Sequence, residues 1–151
     1  MKAVFGHVRA AIALMAVTLS AQASTAVSMP VPGAADASGR KVLTFIAKDP
    51  PGVRCNGNLQ VAAELANTYQ VPIQLLPASL APHLPAPAVF YGNELIAADG
   101  NDHNGAVTSQ IVSDVLDVEG VPRHAKEGLL FNANVRRNFD GLKSSIKSGG
   151  K

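Results

Sequence analysis

The stretch KVLTFIAKDPPGVRCNGNLQVAAELANTY (residues 41–69) decides how this chain is read. Residues 41–47 are β-branched, aromatic and apolar, too short a run for a helix, and read as a buried strand. The segment from Lys48 to Gly52 ends that strand, because two prolines and a glycine in five residues break regular structure. From residue 58 to 69, Leu59, Ala62, Ala63 and Ala66 recur at helical spacing, with Asn56 or Asn58 available as N-cap. Between strand and helix stands Cys55, the only cysteine of the 151 residues. Its neighbours must decide between a nucleophile and a small apolar packing residue.

Downstream, residues 71–77 (VPIQLLP) form a second short strand. A proline-rich segment follows. Then residues 88–91 and 94–97 read as two strands joined at Gly92-Asn93, a hairpin signal. Val107, Ile111, Val115 and Leu116 make the apolar face of a helix over residues 104–118, with Asn104 or Thr108 near its start. Val135, Phe139, Leu142 and Ile146 repeat at spacings of four, three and four, which predicts a third amphipathic helix. Arg136, Arg137, Lys143 and Lys147 are expected on its solvated outer face.

Upstream, Lys2, His7 and Arg9 precede an apolar run, and Ala-Gln-Ala at 21–23 supplies the small residues of a signal-peptidase site. Cleavage after Ala23 or after Ala26 fits equally well, with an uncleaved anchor as the rival reading. The run is short for a membrane span. The expected division is a signal peptide at 1–23, a flexible linker at 24–39, one α/β domain at 40–120 and a C-terminal extension at 121–151. Periplasmic or secreted localisation follows, with no stable membrane insertion after cleavage. The chain has 13 Lys+Arg against 11 Asp+Glu, and the leader removes Lys2 and Arg9 to leave 11 of each. Such a balance gives no preference for nucleic acid or acidic substrates. A single cysteine in an exported chain makes no internal disulfide and points to intermolecular chemistry or a free thiol.

Two stretches carry a family resemblance. FIAKDPPGVRCNGN (residues 45–58) resembles the segment of monothiol glutaredoxins that runs from the first strand through a proline loop to C-G-F-S. The spacing of Phe45, Pro50 and Cys55 matches that segment without a gap. APAVFYGNELIAADG (residues 86–100) resembles the glutaredoxin pattern T-V-P-x-V-F-I-N-G-x-x-I-G-G, with Pro87 on the cis-proline and Gly92-Asn93 on the turn. The resemblance spans residues 41–116. It implies a thioredoxin-like, glutaredoxin-type three-layer α/β fold with a central mixed sheet and flanking helices. The strand, helix, strand, hairpin, helix order agrees with it.

The resemblance also implies roles. Cys55 becomes the catalytic thiol, accessible in the first turn of its helix, where backbone N–H groups and the helix dipole favour a thiolate. Arg54 adds positive charge. Ala86 and Pro87 form the substrate-binding loop against it, presenting backbone groups to an extended peptide or glutathione. The departures lie at the same positions. C-N-G-N stands for C-G-F-S, Ala47 for the glutathione-contacting lysine, and Ala97-Ala98 for the Gly-Gly pair. Asp99 with Asp102 is the nearest counterpart of the acidic pair that holds glutathione. Glutathione is thus a weakly supported ligand, and no other cofactor is expected.

The remaining candidates are weaker. His83, His103 and His124 have no metal-ligand spacing. Residues 98–105 (ADGNDHNG) lack the closing glutamate of a calcium loop. Three functional readings remain. The first is thiol–disulfide exchange through Cys55, with protein thiols or disulfides as partners. The second is a non-catalytic binding module that holds a peptide at the cis-proline loop. The third is a subunit of an envelope complex docked through the basic C-terminal helix.

Overall fold

The structure is a computed structural model and describes residues 29–149. The proposed leader lies outside the described residues. Strand β1 (Leu43–Ala47) is followed by helix α1 (Val53–Thr68) and strand β2 (Ile73–Pro77). After a 3-10 turn at Ala78–Leu80 come β3 (Ala88–Tyr91), β4 (Glu94–Ala98), helix α2 (Ser109–Val118), a second 3-10 turn at Leu129–Phe131 and helix α3 (Ala133–Lys147). The four strands form one mixed sheet in the order β2-β1-β3-β4. β1 pairs parallel with β2 and antiparallel with β3, while β3 and β4 form the hairpin read from Gly92-Asn93. Gly92 takes a positive φ of 60° there, a conformation that glycine adopts without steric cost.

Alternation along the strands sends side chains to two cores. Leu43, Phe45, Val89 and Tyr91 face α1 and α2, where they meet Val61, Leu65, Tyr69, Val112 and Leu116. Ile46, Ala88 and Phe90 face the other way, onto Val31, Ala81 and Leu84. No helix covers that second face among the described residues. The layer expected there as helical is built from irregular chain, Met29 to Ala34 on one side and Ala81 to Ala86 on the other. Prolines at 77, 82, 85 and 87 remove the amide donors that a helix in this segment would need.

Part of the expected linker also belongs to the fold. Val31 is buried, the Met29 amide donates to the Asn93 carbonyl, and the Val42 amide donates to the Ala34 carbonyl. Residues 29–34 therefore pack against the sheet instead of serving as a flexible tether, and 36–39 form a largely exposed turn into β1. Apolar Met29 and Val31 within the Ala-, Ser- and Pro-rich composition are enough to seat them.

Helix α1 starts at Val53, six residues before the apolar repeat opens at Leu59. Its N-cap is Gly52, and neither Asn56 nor Asn58 serves as the cap. α2 starts later than residue 104, capped by Thr108, whose Oγ1 accepts the Ile111 amide at 3.3 Å. α3 docks on α1 through a different stripe from the apolar one. Arg136, Phe139, Lys143 and Ile146 are half-buried, whereas Val135 and Leu142 stay exposed. The cause is Glu64, a buried carboxylate on α1. Lys143 reaches it at 2.5 Å and Arg136 at 3.6 Å, and Ser109 of α2 donates a hydrogen bond to it. Two of the four basic residues expected in solvent are thus pulled inward. A carboxylate is kept in a buried position only when paired and hydrogen-bonded, and this one is both.

Candidate functional site

The site expected from sequence lies where β1, α1 and β3 meet. Cys55 is the third residue of α1, and its side chain is only 2% exposed. Its Sγ accepts a hydrogen bond from the Lys48 amide at 3.2 Å. The accessible thiol expected at this place is therefore closed off. Three residues into the helix, its side chain leans back toward the N-terminal loop and under the Lys48 amide.

The Ala86–Pro87 peptide bond is cis, as expected, and so is Asp49–Pro50. The ladder between β1 and β3 pairs Ile46 with Ala88. That is the last pair of the ladder, so the chain enters β3 from Ala86-Pro87 at the end of β1 that leads to Lys48. The cis-proline loop thus stands beside the amide that holds the sulfur. Pro87 itself is fully buried, and its carbonyl accepts the Asp99 amide at 2.9 Å. Ala86 is half-buried, and neither its N–H nor its carbonyl finds a hydrogen-bond partner among the described residues.

Arg54 gives its hydrogen bonds to oxygen acceptors and none to the sulfur. Its guanidinium grips Asp99 with two hydrogen bonds, at 2.7 and 3.2 Å, and also donates to the Asn104 carbonyl. The Lys48 ammonium reaches the same carboxylate at 3.2 Å. The hydrogen bond from Arg54, then that from Lys48, holds the Asp99 carboxyl below the usual carboxylate range. The same contact with Asp99 raises Arg54. The guanidinium expected beside the thiol makes its ion pair with this carboxylate.

Two residues central to the arrangement take roles other than those expected, Asn58 as an N-cap and Gly105 as the end of a polar loop. Asn58 is buried, donates to the Gly105 carbonyl at 2.8 Å and accepts the Val107 amide at 3.0 Å. It ties α1 to the loop that leads into α2. Gly105 has φ +72°, and a Cβ there would run into the Pro87 carbonyl and the Asp99 amide. The signal for both was present, as an Asn inside an apolar helical face and an Asn-Gly pair before a helix. Asp102, paired with Asp99 in the sequence reading, is exposed and takes no part in the grip on Arg54.

Among the described residues no three His, Cys, Asp or Glu side chains group to hold a metal ion, and no helix is long and apolar enough to cross a membrane. No family model matches the chain, and no curated protein or solved structure matches it. What stands on the geometry is a mixed α/β protein with, among the described residues, a four-stranded mixed sheet, three α-helices and one buried cysteine near a cis-proline.

Proposed function

We propose that this chain is an exported protein of thioredoxin-like fold that binds an extended polypeptide at the cis-proline loop, without using Cys55 as a nucleophile. The strand order, the parallel β1–β2 pair and the hairpin at the opposite edge support that fold. One observation carries the binding reading: Cys55 is closed off while the adjoining Ala86 keeps both backbone groups unpaired. An extended peptide pairing with that N–H and carbonyl would gain main-chain hydrogen bonds, as in strand addition at a sheet edge. Cys55 then acts as a small apolar residue.

A second reading, thiol–disulfide exchange, has one observation in its favour. The Lys48 N–H points at Sγ from 3.2 Å, so a backbone donor holds the sulfur in a fixed place beside the cis-proline loop. Thiol labelling separates the two. The native protein, incubated with oxidised glutathione or N-ethylmaleimide and followed by intact mass, is expected to remain unmodified and to take one adduct after denaturation. Binding to an array of unstructured peptides should survive Cys55→Ser. Rapid adduct formation in the native state, with peptide binding lost in Cys55→Ser, would put thiol exchange in its place.

A further inference from the structure

A cleft of about 290 Å³ opens between α1, the start of α2 and the last turns of α3. Val53, Val61, Val107 and Ile146 give it apolar walls, and no carboxylate lines it. Gln60 also lines it, only 7% exposed, and its Nε2 is buried with no hydrogen-bond partner among the described residues. A buried amide donor left without an acceptor is destabilising, so such a group in a native wall points to a missing partner. As it stands that NH2 is closed off from the cleft, and a turn about the broad terminal torsion of glutamine would bring it to the cleft side.

The charges are unequal in their commitments. Lys143 is engaged by Glu64 and Arg54 by Asp99. Lys147, at the mouth, is exposed and makes no ion pair among the described residues. Gly57 adds a third, independent sign. It lies inside α1, where glycine weakens a helix. Its φ is not in the positive region, and a Cβ added there would meet nothing within 4 Å. Neither backbone geometry nor packing demands glycine at this position. Its missing side chain keeps the cleft open.

We infer that this cleft binds a small monocarboxylate with an apolar chain. The chain would lie along the valine and isoleucine walls, and the carboxylate would meet the Lys147 ammonium and accept from the Gln60 amide. The volume suits a ligand at the small end of the usual pocket range, about 300 Å³. The site is distinct from the Ala86 surface and needs no chemistry at Cys55.

The test uses the full chain labelled with nitrogen-15, titrated with decanoate and separately with decanol, and followed by amide chemical shifts. Decanoate is expected to saturate one site at residues around Gln60 and Ile146, and to bind about fivefold more tightly than decanol, the upper end for a partly exposed ion pair. Lys147→Gln should remove that difference and leave decanol binding unchanged. Gly57→Leu should abolish binding of both while leaving the melting temperature equal or higher, which separates a filled cleft from a misfolded one. Absence of saturation at millimolar decanoate would overturn the proposal. So would equal affinity for decanol, wild-type binding by Gly57→Leu, or shifts confined to exposed Val135 and Leu142.

Discussion

Gly105 shows how much one backbone position can hold. At φ +72° it accepts a conformation that costs other residues roughly 1–2 kcal/mol, and it lies against the Pro87 carbonyl and Asp99 amide. Gly105→Ala adds both strain and a collision with backbone that cannot step aside. The expected loss is about 2–4 kcal/mol in chemical denaturation, within the range of special-φ lesions. A loss below about 0.5 kcal/mol would mean that the 99–105 loop yields freely. Asn58 acts on the same loop from the helix side, and Asn58→Ala strands the Gly105 carbonyl and the Val107 amide. Its cost is expected at about 1–3 kcal/mol, the penalty for unsatisfied buried partners. Cys55 is the contrasting case. Its place at the head of a helix was legible in the strand-loop-helix pattern, but its burial was not, because the Lys48 turn that covers it is set by contacts across the sheet.

At the scale of elements, α3 is the segment whose docking depends most on a single charge. Glu64 is reached by Lys143, Arg136 and Ser109, one contact from α2 and two from α3. Removing it leaves two cations at a partly buried interface, a loss of roughly 2–4 kcal/mol, somewhat under the range for fully buried pairs. Glu64→Ala should raise amide hydrogen exchange across α3 well before α1 or the sheet is affected. Uniform acceleration through the whole domain would show that α3 is not a separate cooperative unit. Glu64→Leu restores apolar volume without restoring a partner for Lys143, so it should recover only part of the loss. The heptad-like spacing of Val135, Phe139, Leu142 and Ile146 located this helix, yet half of those residues face solvent. Periodicity names a helix, and the surface it meets decides which stripe is buried.

For the molecule as a whole, three carboxylates connect folding to pH. Asp36 is lowered to about 2, chiefly by the Ser38 hydroxyl hydrogen bond. Asp99 is lowered chiefly by Arg54, and Asp117 chiefly by Arg123 and then Tyr69. A carboxyl whose folded pKa lies below its unfolded value contributes stability that is complete above the unfolded value, near 3.8, and is lost as pH falls through the folded value. The melting temperature should therefore be nearly level from neutral pH down to about 5 and fall between about 4 and 2. Asp99→Asn should flatten part of that fall, at the cost of a lower melting temperature near neutrality. A steep loss already between pH 7 and 5 would assign acid sensitivity to other groups.

The sequence by itself determined the order and kind of the elements: three short apolar runs, a hairpin marked by Gly92-Asn93, and helices announced by spacing and by Thr108. These are local properties, set by side-chain periodicity, by proline's missing amide and by glycine's freedom at positive φ. It also placed Pro87 at the start of β3 and Cys55 at the head of α1. Only the tertiary structure decided that Val31 joins the core, that irregular chain covers the second face of the sheet, that Arg54 serves Asp99 and not the sulfur, and that Cys55 is sealed beneath the Lys48 amide. Each of these depends on partners between 7 and 62 residues away in sequence. Loop closure brings such partners together, and no local pattern records which of several acceptors a given cation or amide will meet.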